Sequence, residues 1–486
     1  MLRRAVLLLW LVGLLFVVAA CQQQPAPTAT KPPEPTKPPA AQPSPTKAEA
    51  AQPTPTKEEA MPKEGEPYKL GLVLSITGPA SALGVPERDT ALMLMEKINA
   101  AGGIKGPDGL MHKLEVIVED DATDTGQAVL ATKKLIEQDK VHVIIGSSVS
   151  PNSIAMAPVV SEAEIPMISL ASSTAIVHPL LKDFEGQTIQ IPGKGEHTVG
   201  PGETVIYLSR LYDVDPKAIL EANPQLPQEL VRPWVFKTPQ ENYPVAQVQA
   251  DYWKAKGVTK VGSLGVNNAF GLDSRLAMKA VYPKAGIEIV ADELFQPKDK
   301  DFRAQLTKIK GLDPEGVVVH ATPGEGAPIT VQFRELGFDV PLVQNHGIGS
   351  KAFIDLAGQA AEGVLFPAGK LLVAETLPDD DPQKPVLLQY IEDYDKYTNG
   401  APRSTFGGHA WDAVMISVQC LEKVGPEASA LRDCFENDVK DFVGITGVFT
   451  WSPIDHVGIF KESLALIMIK DGNWVFVAPD EYANVP

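Results

Sequence analysis

Positive charge is what this 486-residue chain is short of: 43 Lys and Arg stand against 61 Asp and Glu, a formal net charge of −18. A chain so acidic is repelled by phosphate backbones and anionic lipid surfaces, which argues against nucleic acid or a charged membrane face as a partner. Cysteine is nearly absent, with three in the whole chain, so the fold cannot rest on a disulfide framework and must come from buried cores. Long apolar runs are missing beyond the first twenty residues, so no later segment reads as a membrane span. Signatures of catalysis are missing too: there is no GxSxG, HExxH or GxxxxGK[ST], and the eight histidines are scattered without ligand spacing. Glu119-Asp120-Asp121 is an acidic run at a strand end and reads as a loop feature rather than a metal site. No enzyme, metal or cofactor is implied.

What is present begins at the N-terminus. Arg3 and Arg4 precede an apolar run from Ala5 to Val18, too short to span a bilayer comfortably and followed by Ala19-Ala20-Cys21. This is a secretory signal, and VAAC resembles the bacterial lipoprotein cleavage box, with Val18 where Leu is usual and Cys21 as the residue to be lipidated. A plain signal peptide with an incidental cysteine is the other reading. Residues 22–66 are almost wholly Pro, Ala, Thr, Lys, Gln and Glu, with PTK recurring; such a segment cannot bury a core and reads as a disordered or polyproline-like tether. Export would permit a bridge between Cys420 and Cys434, which lie on what look like consecutive helices, and a pair of buried free thiols stands beside that reading.

From Tyr68 onwards strands and helices alternate, the pattern of a parallel sheet covered on both faces. The stretch Val141 to Ser173 is the focus. A β-branched run to Ile145 ends at Gly146 in a serine-rich turn, with Ser150 or Asn152 available to cap a helix striped by Ile154, Ala157 and Val160; a second strand, Pro166 to Leu170, ends in Ala171-Ser172-Ser173. Two parallel strands thus end in hydroxyl-bearing turns on one sheet edge, where open α/β folds bind small molecules. The alternation resumes with a strand near Trp234 to Lys237, taken as the start of a second lobe of similar size. A helical stretch, Val386 to Phe442, follows, and a C-terminal hairpin is turned by Asp471-Gly472.

The phrases KLGLVLSITGPASALG, MEKINAAGGIKG, LEVIVEDDATD, KLIEQDKVHVIIG, DFRAQLTKIK and AAEGVLFPAGKL resemble the type I periplasmic binding proteins that serve branched-chain amino-acid ABC transporters. The resemblance implies an α/β fold of two Rossmann-like lobes with parallel sheets, joined by a three-crossover hinge and closing on a ligand. It divides the chain into a first lobe (67–180), a second lobe (232–367), a return to the first (368–456) and a final hairpin and tail in the second (457–486). It also implies the site. Ser150 falls where a serine meets the ligand carboxylate, Ala171 where a carbonyl accepts from an ammonium, and Ser173, beside Ser172, where a hydroxyl contacts both. Thr322 and His346 lie in the corresponding turns of the second lobe. His346 stands where amino-acid binders often carry glutamate, and a neutral imidazole suits a carboxylate better than an ammonium. Leu83 and Phe406 would make an apolar wall.

One insertion, 181–231, departs from that family. Its centre, HTVGPGETVIYLSRLYDVDPKAILEANPQL, resembles a LysM module, a small βααβ unit. The closing strand GQTIQIP, Gly186 to Pro192, comes before the opening strand rather than after the second helix, so the module reads as circularly permuted, with a truncated remnant of tandem modules as the alternative. The resemblance places a glycan groove between Gly202-Glu203-Thr204 and Asn223-Pro224-Gln225-Leu226. Taken together, the expected protein is an extracytoplasmic receptor, lipid-anchored to the cell membrane, that delivers a small amino acid or an apolar or aromatic carboxylate to ABC permease subunits and has a module for peptidoglycan. A cell-wall-associated or sensory protein not coupled to transport is the competing class.

Overall fold

The computed structural model describes residues 63–486; the signal segment, Cys21 and the tether up to residue 62 lie outside them. The first lobe is built on β1 (Tyr68–Leu74), whose Leu70, Leu72, Val73 and Leu74 are fully buried, followed by α1 (Ser81–Ala100). Next come β2 (Leu114–Asp120), α2 (Thr125–Lys134), β3 (Val143–Gly146), α3 (Ser150–Ala163) and β4 (Met167–Ser169). Strands with no exposed face read as unbroken apolar runs, and β3 is of this kind. Helix α1 begins earlier than the sequence suggested, at Ser81 rather than Glu87, because it runs through Pro86 instead of starting after it.

After β4 the chain enters the insertion. A hairpin, β5 (Thr188–Ile191) against β6 (Gly195–Thr198), is followed by α4 (Val205–Tyr212) and α5 (Pro216–Ala222). Thr204 caps α4 by accepting from Tyr207 N at 3.1 Å, and Asn223 ties the end of α5 to β5 through Gln190. Ile189, Ile191, Val199, Leu208, Ile219 and Leu220 form its core, yet that core is shared: Leu276 and Ala280 of the second lobe complete it.

The strand that follows, β7 (Val235–Lys237), pairs in parallel with β4, so the first sheet runs β2-β1-β3-β4-β7. The expectation that this strand opens the second lobe is therefore corrected. The insertion separates two neighbours of one sheet, and in sequence the alternation looks as if it starts afresh.

The second lobe then runs α6 (Asn242–Lys256), β8 (Lys260–Val266), α7 (Ala269–Val281), β9 (Glu288–Phe295), α8 (Arg303–Lys310) and β10 (Gly316–His320). It continues with α9 (Pro323–Glu335), β11 (Leu342–Gln344), α10 (Lys351–Ala357) and β12 (Leu365–Gly369). Helices α11 (Lys384–Thr398), α12 (Thr405–Val424) and α13 (Ala428–Asp438) return to the first lobe, where Tyr390 OH meets Thr90 Oγ1 of α1 at 2.9 Å. The Cys420–Cys434 disulfide links α12 to α13. The hairpin β13 (Leu464–Lys470) and β14 (Asn473–Val477) closes the second sheet, ordered β9-β8-β10-β11-β12-β13-β14, with β13 antiparallel to both neighbours. No helix among the described residues is long and apolar enough to cross a membrane.

Candidate ligand cleft between the lobes

The carboxyl ends of β1, β3, β4 and β7 face those of β8, β10 and β11 across a cavity of ≈ 60 Å³ that opens to solvent. Gly146 makes the first-lobe side possible: its φ is +124°, and a Cβ there would lie 2.0 Å from Val73 O, so only glycine lets the chain leave β3 this close to β1. The turn that follows is braced from behind. Asp121 accepts from Ser75 Oγ (2.7 Å) and Ser147 Oγ (2.5 Å), and Asp120 accepts from Ile76 N, Thr77 N and Thr77 Oγ1. The acidic run thus serves as a hub that fixes strand ends.

Helix α3 begins at the cavity without a side-chain cap. Its N-cap is Val149, which has nothing to offer, whereas Ser150 is the first helical residue and Asn152 accepts instead from Thr125 Oγ1 at 3.1 Å. Neither Ser150 nor Asn152 is the cap, contrary to expectation. The consequence is chemical: the uncapped first turn of a 14-residue helix leaves N–H groups and the positive end of its dipole at the cleft.

Leu83, Ser150, Ala171, Ser172, Thr322, His346 and Phe406 all line the cavity. Ser173 does not. Its hydroxyl accepts from Ala175 N at 3.3 Å to start a short 3₁₀ turn, and its N–H donates to Ser150 Oγ at 3.3 Å, so it positions Ser150 from behind. The structure adds Ser148, Val149, Asn268, Phe270, Pro239 and His409 to the wall. Asn268 was within reach of the sequence, as a polar residue just past the strand ending at Val266. His409 lies on α12, far along the chain, and no local pattern marks it.

Among the described residues, the cavity wall has no Asp, Glu, Lys or Arg. Its two imidazoles are neutral at pH 7. Burial holds His346 well below the usual histidine range, helped by the nearby His409, Lys237 and His320, and burial takes His409 down to about 3, helped by Lys237. Asn345 fixes the backbone of His346 by accepting from its N–H at 2.6 Å, and is itself anchored to Ser274 Oγ at 2.8 Å. The His346 ring stands edge-on to Phe270 with centroids 5.5 Å apart, and its Nδ1 has no hydrogen-bond partner among the described residues.

In the insertion, the first of the two expected glycan loops is already engaged. Glu203 O accepts from Leu181 N, Thr204 bridges to Leu180, the Glu203 carboxylate holds His197 Nε2 at 2.8 Å, and Gly202 sits against Leu272 of α7. In the second loop Asn223 and Leu226 are buried, and Pro224 and Gln225 are exposed.

Two α/β lobes with a small-molecule cavity between the carboxyl ends of their strands define a two-domain solute-binding protein. The chain belongs to the periplasmic binding protein family, whose model matches residues 67–184 and 203–473 and leaves out the hairpin of the insertion. It is 27% identical over 372 residues to the leucine-, isoleucine-, valine-, threonine- and alanine-binding protein of Pseudomonas aeruginosa, covering 75% of this chain and 82% of that one. Among solved structures it is similar to an extracellular ligand-binding receptor from Rhodopseudomonas palustris HaA2, with a TM-score of 0.67 at 26% identity over 85% of this chain and 99% of that one. A Streptococcus pneumoniae branched-chain amino acid transporter substrate-binding protein, solved with isoleucine, shares the fold with a TM-score of 0.64 at 23% identity, over 85% of this chain and 99% of that one.

Proposed function

We propose that this protein is the extracytoplasmic solute receptor of an ABC importer, taking a small amino acid or an apolar or aromatic carboxylate between its lobes and presenting it to permease subunits. The observation that carries this reading is the cavity itself, which combines an uncapped helix N-terminus for a negative group with apolar walls from Leu83, Phe270 and Phe406. The Pseudomonas relative's name specifies amino acids, and the Streptococcus structure holds isoleucine, which supports a ligand of this size. Each lobe supplies part of the wall, so a ligand that touches both favours the closed arrangement. A panel of amino acids and small acids screened by thermal shift should contain at least one ligand that stabilises the protein by about 2.7 kcal/mol at a hundredfold excess over its Kd. The same ligand should reduce the radius of gyration in small-angle scattering. A panel without effect would defeat the proposal.

The lipid anchor at Cys21 and the glycan affinity of the module rest on sequence resemblance. The adjacent antiparallel strands β5 and β6 support the permuted LysM reading, since strands that pair can be joined at one end and opened at the other. If the module works on peptidoglycan, the wall-associated class gains ground. Cys21→Ser should abolish membrane retention yet leave binding to isolated sacculi. Membrane retention of the variant would remove the anchor from consideration, and absence from sacculi would remove the glycan role.

A further inference from the structure

We propose that Lys237 is the specificity-determining residue of the cleft: its buried ammonium complements the negative charge of a monocarboxylate and sets the site against a solute that also carries an α-ammonium. This rests on the solute-receptor reading and narrows its ligand class. Lys237 ends β7 with no solvent exposure, and Nζ donates to the carbonyls of Ser172 and Ser173, the second at 3.5 Å. Among the described residues no carboxylate lies within 4.0 Å of it. A buried cation is costly unless it is paired; Lys237 stands behind the cavity wall and reaches it through the Ser172 carbonyl, and a ligand carboxylate there would add a counter-charge to the longer-range ones. The charged groups that face Lys237 at longer range are Glu241, Asp273, Arg210 and Asp455. Glu241 is engaged by Arg210, Asp273 accepts from Asn242 Nδ2 at 2.5 Å, and none of these four lines the cavity. On the cavity side, among the described residues, the titratable groups that face Lys237 are the neutral imidazoles of His346 and His409. An α-ammonium would meet no carboxylate in the wall, only the Ala171 carbonyl, since the Ser172 carbonyl beside it is already engaged by Lys237.

Burial lowers Lys237 to about 8, so it is largely charged at pH 7 and loses its proton above that pH. The test is isothermal calorimetry on the full chain with two matched sets: 4-methylpentanoate and 4-methyl-2-oxopentanoate against L-leucine, and 3-phenylpropanoate against L-phenylalanine. In at least one set the acid without the amino group should bind ten or more times tighter than the amino acid. Its affinity should be level from pH 6 to 7.5 and fall towards tenfold per unit above about pH 8. Lys237→Met should weaken it about thirtyfold or more. Should that variant fail to fold, the pH profile of the unaltered protein still decides, since a flat profile to pH 9.5 overturns the proposal. Equal or tighter binding of the amino acids in both sets overturns the role of Lys237 and leaves the receptor reading standing. Silence from both sets and from the wider thermal-shift panel overturns both.

Discussion

His346→Glu should weaken binding of a carboxylate ligand by roughly two orders of magnitude and improve binding of leucine. His346 lines the cavity as a neutral imidazole, so the unaltered site meets a carboxylate with no like charge. A glutamate in its place puts two negative charges about 5 Å apart, and at an effective dielectric constant near 20 their repulsion is about 3 kcal/mol. Lys237 raises no obstacle to this test at pH 7.5, because its positive charge helps keep the new carboxylate ionised. An amino acid would instead gain a partner for its ammonium. His346→Gln, which removes the imidazole without adding charge, should cost a carboxylate ligand no more than about tenfold, as expected for loss of one hydrogen bond. Calorimetry at pH 7.5 with all three proteins separates these outcomes. Carboxylate binding that survives the glutamate change would mean that the ligand's negative end does not approach the second lobe at all.

The same electrostatic frame shows why part of the site was legible in the sequence. Ser150, Ala171, Thr322 and His346 were implied by the family resemblance, and they meet at one cavity because each lies just past the end of a strand in a parallel sheet, where such ends converge on one edge whatever the loops between them contain. Ser173 follows the same rule and still misses the cavity, since the choice between facing a ligand and capping a 3₁₀ turn depends on a rotation that no sequence pattern encodes. Lys237 stayed hidden for a different reason. It stands one strand over from Ser172, but the inserted module lies between them in sequence, so β7 looked like the opening of the second lobe. His409 comes from a third segment, on α12, whose buried face also carries Thr405, Asp412 and Ser417, so no local pattern singles it out.

The insertion shows the opposite balance. Its helices and caps follow closely from Thr204, Asp215-Pro216 and the spacing of Val205, Leu208, Ile219 and Leu220. What the sequence did not disclose is that Leu272, Leu276 and Ala280 of α7 belong to the same core, because they read as ordinary members of a helix stripe facing their own sheet. The module is therefore fastened to the second lobe. Lys284 binds Asp213 at 2.6 Å, and the Arg210 guanidinium lies 4.7 Å from the centre of the Tyr243 ring. Excising residues 181–231 would strip the cover from α7 as well as removing the module, so point changes test the module more cleanly than deletion does.

Arg210→Met should destabilise the protein by about 3–5 kcal/mol, and the double variant Arg210→Met/Glu241→Gln should recover most of the loss. Arg210 reaches from α4 of the module to the Glu241 carboxylate, at the start of α6. Glu241 is 4% exposed, its Oε1 already has no hydrogen-bond partner, and the nearest other group, His178 Nε2, is 3.8 Å away. His178 cannot substitute for the arginine at neutral pH, because burial pulls it down to about 4 despite the nearby carboxylate. Burial alone would raise the Glu241 carboxyl, but the charges of Arg210 and Lys237 outweigh it and hold the group at about 2. With its folded value below the ordinary carboxylate value, Glu241 contributes stability that is fully present above about pH 4.5 and is lost as pH falls through about 2. Removing Arg210 should shrink that acid-side loss while lowering stability at pH 7. Denaturant unfolding at pH 7 and pH 3 measures both effects. Recovery in the double variant identifies the cost as that of a stranded buried carboxylate rather than lost packing by the arginine stem. A double variant as unstable as Arg210→Met would assign the loss to packing of the arginine against Tyr243.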